Sequence, residues 1–174
     1  MKRSLPGWQM MGFLFTAAAG TLLHFWYDWT KAIPLALISA VNESIWEHMK
    51  LLYVPMLLFA LFQRRFFREE GFWQSKLMGF LLGLALIPVA YYTYTGSLGV
   101  SADWFNIAIF FLTAAAVFRA ETWLMQRKKR WRISGRVALV LVLLLGALFV
   151  IFTFLPPRIP LFRDPTTGQY GMQS

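Results

Sequence analysis

Long apolar runs separated by short polar connectors dominate the chain, and their lengths predict helices that cross a bilayer. Five stretches, at about 8–27, 45–63, 77–94, 104–123 and 137–155, approach the roughly 20 helical residues that a hydrocarbon core requires. The last of them carries no charge at all. A sixth apolar run, 33–41, is too short to span. If it continued into the next stretch, one helix from Pro34 to Gln63 would measure about 45 Å, against a hydrocarbon core of about 30 Å. A break at 42–44 resolves the conflict. Ser44 and Glu47 have the S-x-x-E spacing of a capping box, which starts a helix by satisfying orphan amides reciprocally. Residues 33–41 are then expected to form a short interfacial or re-entrant helix begun by Pro34. The predicted architecture is an all-α polytopic membrane bundle of about five transmembrane helices, in a single domain over 1–174.

Composition supports this class. Of 174 residues 58% are hydrophobic and only 14% are charged, where a soluble domain carries about 25%. The absence of cysteine excludes disulfides, thiolate metal sites and cysteine nucleophiles. A net charge of +9 need not imply nucleic acid, because the basic residues fall in blocks between the apolar runs. One side of the predicted topology carries twelve of them, in the 1–3, 64–76 and 127–136 segments. The other carries four, Lys31, Lys50, Arg158 and Arg163, and Arg119 lies within the fourth stretch. Lys and Arg are retained on the cytoplasmic side, so the amino terminus is expected inside and the carboxyl terminus outside a cell (inner) membrane. Ala17 and Ala19 imitate a signal-peptidase site, but the apolar stretch before them is short and the run continues, which predicts an uncleaved span.

Small residues at Gly12/Gly20, Gly79/Gly83 and 114–116 predict close helix approaches, and Pro55 and Pro88 predict kinks. Trp8, Trp26, Trp29, Trp73, Trp104, Trp123 and Trp131 read as an interfacial belt. Arg119 and Glu121 read as a snorkelling arginine and a surface acid. Residues 156–171, rich in proline with a D-P-T-T-G turn, read as an ordered cover over the outer helix ends.

The chemistry concentrates at that outer end. His24 and Asp28 share a helical face, and Glu43, Glu47 and Lys50 follow i, i+4, i+7 spacing with His48 beside them. Ionisable groups near membrane depth face a cavity or one another, so an outward-opening polar pocket is expected. Its candidate metal ligands are His24, Asp28, Glu47 and His48. Glu43 and Glu47 are the candidate acid/base pair, and Asn42, Trp46, Lys50 and Asp28 the candidate ligand contacts. Adjacent Glu47 and His48 point about 100° apart on a helix, which argues against one ion holding both. Capping and ion pairing explain the same residues without chemistry. A divalent cation is the candidate cofactor, and the bilayer, a homo-oligomer or a larger membrane complex are the candidate partners. The leading expectation is a pocket that binds a cation or small polar ligand, with a metal-dependent membrane enzyme as one form of it. The alternatives are a small oligomeric transporter or channel, or a non-catalytic subunit or chaperone.

Three stretches, H-F-W-Y-D-W at 24–29, V-N-E-S-I-W-E-H-M-K at 41–50 and P-P-R-I-P-L-F-R-D-P-T-T-G-Q-Y-G at 156–171, resemble a family of small uncharacterised prokaryotic membrane proteins, a domain of unknown function. The signatures are N-E-S-x-W-E-H-x-K and the PPxIPLFxDPxTGxYG tail. The resemblance implies no activity. It implies that the three stretches form one module.

Overall fold

The computed structural model describes residues 4–127 and 131–172. Lys2, Arg3, Lys128, Lys129 and Arg130 of the charge count lie outside the described residues. Six α-helices follow in order: α1 Leu5–Thr30, α2 Ile33–Ala36, α3 Ile45–Arg64, α4 Phe72–Leu98, α5 Asp103–Gln126 and α6 Gly135–Phe154. A 3₁₀ turn, Pro160–Phe162, lies in the tail. Helices α3 to α6 are each long and apolar enough to cross a membrane. Helix α1 is continuous over 26 residues, but Gln9, His24 and Asp28 interrupt its apolar run, and it is not among those four.

The five long helices alternate in direction, which defines two ends. At the tail end α1 finishes, α3 begins and residues 155–172 fold back. At the amino end α1 begins and α3 finishes. Helix α3 touches α1, α4, α6 and the tail. Its Met49, Leu52, Tyr53, Met56, Phe59 and Ala60 form the centre of the hydrophobic core. Tyr53 closes the α3/α6 contact by donating to Val142 O at 2.6 Å. Gly20 allows the α1/α3 approach, because a Cβ there would stand 2.8 Å from Leu51 O. Helices α3 and α4 continue through Pro55 and Pro88.

Two expectations about the break change. The helix expected over 33–41 is a single turn, Ile33–Ala36, followed by turns to Ser39. Ser39 is the reason the segment stays at the α1 surface. Its buried hydroxyl accepts from Tyr27 N at 3.0 Å and donates to Leu23 O, joining the donor and acceptor that one turn of α1 would pair. The capping box is half formed. Ser44 Oγ accepts from Glu47 N at 3.4 Å, but Ser44 N donates to Asn42 Oδ1 at 2.9 Å. The Glu47 side chain is thereby free to turn elsewhere.

The tail is tied at several points. Met172 N donates to Thr153 O at 3.2 Å, and Asn42 Nδ2 donates to Gly171 O at 2.9 Å. Buried Phe162 stacks near Trp46 with ring centres 4.7 Å apart. The belt expectation also needs correction at two positions. Trp26, Trp29, Trp104 and Trp123 are exposed, but Trp8 and Trp73 are buried in the core.

Candidate functional site

At the tail end the last turns of α1, the 42–44 break and the first turns of α3 meet. Helix α1 carries His24 and α3 carries His48, and the break places Glu43 between them. His24 Nε2 lies 3.9 Å from Glu43 Oε1, and His48 Nε2 lies 3.5 Å from Glu43 Oε2. One ligand atom from each residue falls within 4.8 Å of the others. The tautomer of His48 follows from its other nitrogen. Nδ1 lies 2.9 Å from Ser44 O, which can only accept, so Nδ1 carries a proton and Nε2 is the nitrogen that faces Glu43. A backbone carbonyl holding the far nitrogen is how metal-ligating histidines are commonly oriented. Two imidazoles and one carboxylate, with a position left open, match a catalytic zinc donor set. Tetrahedral bonds of about 2.0 Å would bring the donors to about 3.3 Å from one another, so loading requires the widest separation to contract by up to about 1.5 Å.

A pocket of about 220 Å³ adjoins this trio, lined by Glu43 and His48, by Tyr91, Asp103 and Asn106 from α4 and α5, and by Pro165 and Thr166 from the tail. Its far wall is set by Tyr94, whose hydroxyl bonds to Asn106 Oδ1 and lies 3.1 Å from Ser101 Oγ. Asp164 anchors the tail wall. Its Oδ1 accepts from Thr166 N at 2.7 Å, Thr166 Oγ1 at 2.6 Å and Thr167 N at 3.2 Å, and its Oδ2 accepts from Glu43 N at 3.4 Å. Burial pushes the Asp164 carboxyl up, but these hydrogen bonds outweigh it and hold its pKa below the ordinary value.

The other expected site residues go elsewhere. Asp28 shares a helix with His24 but is exposed and pairs with Lys31 Nζ at 2.6 Å, so the fold does not bring it to the trio. The reason is local. Lys31 ends α1 in a left-handed turn, with φ 50°, which returns its ammonium to the carboxylate at i−3. Glu47 turns away from His48, as their angular separation requires. It pairs with Lys50 Nζ at 2.6 Å, accepts from Thr153 Oγ1 at 2.9 Å and accepts from Val41 N at 3.2 Å. Lys50 Nζ also donates to Ala36 O and Thr153 Oγ1, at 2.8 and 2.9 Å. Glu47 and Lys50 are buried and join α3, α6 and the break. Asn42 braces the tail, and Trp46 packs on Phe149, Phe152 and Phe162.

A second buried pair at the amino end was missed by sequence reasoning. Lys76 Nζ lies 2.6 Å from Glu121 Oε2, and both side chains are almost completely buried. Lys76 is therefore no loop residue, and Glu121 no surface acid. Gln9 Nε2 donates to the same Glu121 oxygen at 3.3 Å. The rings of Phe118, Phe72 and Phe59 stand 5.4, 5.6 and 6.0 Å from the ammonium. Gly79 makes the room, since a Cβ there would stand 2.5 Å from Glu121 Oε1. A signal for this burial was present. Ala114, Val117, Phe118 and Glu121 follow i, i+3, i+4, i+7, and so do Phe72, Lys76 and Gly79 in part, which puts both charges on core stripes.

Apolar spans, buried ion pairs and an all-helical bundle together define a helical membrane protein. The chain belongs to a family of unknown function (DUF6512), whose profile matches residues 2–172. No curated protein and no solved structure matches it.

Proposed function

We propose that the protein is a five-span membrane protein with its amino end in the cytoplasm, and that its extracytoplasmic tail end binds a divalent cation through His24, Glu43 and His48. The observation that carries this reading is the convergence of three donor atoms within 4.8 Å. They come from α1, the break and α3, and His48 is already oriented by Ser44 O. A cation held there would face the 220 Å³ pocket through its open position. It would polarise a bound ligand or activate a water, which is the chemistry of a metal-dependent membrane enzyme. In this reading Glu43 is a ligand, and the Glu47–Lys50 network holds the helix that carries His48.

The test is metal analysis of detergent-purified protein after incubation with zinc and removal of the excess. Wild type and Asp28→Asn should each retain about one ion per chain. His24→Ala, His48→Ala and Glu43→Gln should each lose it with melting little changed. Wild type without a bound ion, or His48→Ala with one, would refute the site. The orientation has its own check. A cysteine at Ser97 should react with an impermeant reagent on intact cells and one at Gln126 should not, and the reverse pattern would invert the topology.

A further inference from the structure

A larger cavity, about 840 Å³, opens between α1 and α5 at the amino end, remote from the trio. Met10 and Phe13 of α1 form one wall, and Ala115, Ala116 and Ala120 leave a trough along α5. Arg119 lies in this groove and is exposed. It stands seven residues before the end of α5 at Gln126, about 10 Å along the helix axis. A guanidinium at that depth in hydrocarbon is costly unless it is paired. No carboxylate pairs with it among the described residues, and residues 1–3 and 128–130 contain no acid. Glu121, two positions along, is buried and engaged by Lys76 and Gln9.

We propose that this groove binds an anionic phospholipid, with an acyl chain along the alanine trough and the phosphodiester on Arg119. Arginine presents a planar fork that matches two phosphate oxygens, and it can reach toward the headgroup level while its stem stays in apolar surroundings. The rim is suited to the same ligand. Arg127 lies over the Trp123 ring at 3.8 Å and supplies a second cation where the groove meets the interface. A second copy of the chain is a poorer occupant, because it offers no counter-charge at this depth. Glu47 and Glu121 are buried in their own pairs, Glu69 and Glu70 lie in the 65–71 connector, and the remaining acids are at the tail end.

The test uses full-length protein, delipidated in detergent and titrated with phosphatidylglycerol or with phosphatidylcholine of the same acyl chains, with bound lipid counted by native mass spectrometry. Wild type should bind phosphatidylglycerol about tenfold more tightly. Arg119→Gln should lose most of that preference, with Arg127 left as a weaker second cation, and Ala116→Phe, which keeps the arginine but fills the trough, should weaken both. Equal binding by wild type, or a preference undiminished in Arg119→Gln, would overturn the proposal. So would an oligomer that Arg119→Gln dissociates while phosphatidylglycerol binding is unchanged, since the groove would then belong to a second copy.

Discussion

Two lysine–glutamate pairs lie near opposite ends of the bundle, with the same 2.6 Å separation and the same near-complete burial, yet they are built on different logic. At the tail end Glu47 and Lys50 sit one turn apart on α3, and every other contact comes from elsewhere: Thr153 on α6, Ala36 on α2 and Val41 in the break. At the amino end Lys76 and Glu121 come from two helices, and the ammonium is enclosed by aromatic faces with no other hydrogen-bond acceptor among the described residues. The first is a knot of polar groups that orders irregular backbone. The second is a clamp of two charges in an apolar shell. The difference teaches what each arrangement is for. The break contains amides and carbonyls that secondary structure leaves unpaired, and buried backbone of that kind needs polar partners from the protein. Helices α4 and α5 have no such need at the amino end, so a lone pair suffices there.

The comparison is broken most severely by removing one charge. Glu121→Gln leaves Lys76 without its counter-charge among Phe59, Phe72 and Phe118, and should cost about 3–5 kcal/mol, as losing one partner of a buried pair does. Glu47→Gln leaves Lys50 with Ala36 O and Thr153 Oγ1, and should cost about 1–2 kcal/mol. Unfolding in detergent measures both, and equal losses would erase the distinction between knot and clamp.

Replacing both partners sharpens the contrast. Lys76→Met with Glu121→Leu puts apolar side chains into an apolar shell and should recover most of the single-variant loss, with Gln9, among the described residues, left without the Glu121 oxygen. Lys50→Met with Glu47→Leu should recover little, because Val41 N, Ala36 O and Thr153 Oγ1 all lose partners at once. A tail-end double variant as stable as wild type would show that the network braces nothing.

The tail-end knot was more legible in the sequence than the clamp, and the reason is distance along the chain. Ser44, Glu47, His48 and Lys50 lie within one local pattern. Helical spacing alone separates the direction of Glu47 from that of His48. Hydropathy likewise placed the apolar helices. It did not reveal that α4 begins at Phe72, a turn before the apolar run, so Lys76 read as connector. Nor did it reveal Thr153, 106 positions from Glu47, or the approach of Glu121 to Gln9 across 112. Lys76 and Glu121 read as solvent-facing because Phe59 and Phe118, which flank the ammonium, come from α3 and α5, and only Phe72 shares its helix. Asp28 stands apart from the trio for the opposite reason: it shares a helix with His24, but Lys31 at i+3 pairs with its carboxylate.

The smallest expected effect tests how far the knot extends into the tail. Asp164 is its outermost carboxylate, joining the D-P-T-T-G turn to the amide of Glu43. Its folded pKa lies below the unfolded value, because hydrogen bonds to the charged form outweigh the opposing effect of burial. The sign follows. The unfolded carboxyl takes up its proton first as pH falls, so the stabilisation is complete above the unfolded pKa and is lost as pH falls through the folded one, below about pH 4. Asp164→Asn keeps an acceptor for Thr166 and Thr167 but offers the Glu43 amide a donor, and should cost about 1 kcal/mol at neutral pH. Melting followed from pH 6 to pH 3 should therefore show a gap between wild type and variant that closes with acid. A constant gap would mean that the Asp164 carboxylate does not carry the tie. If zinc is bound by the neighbouring trio, the same variant should also weaken its retention modestly, because the amide that Asp164 holds belongs to Glu43.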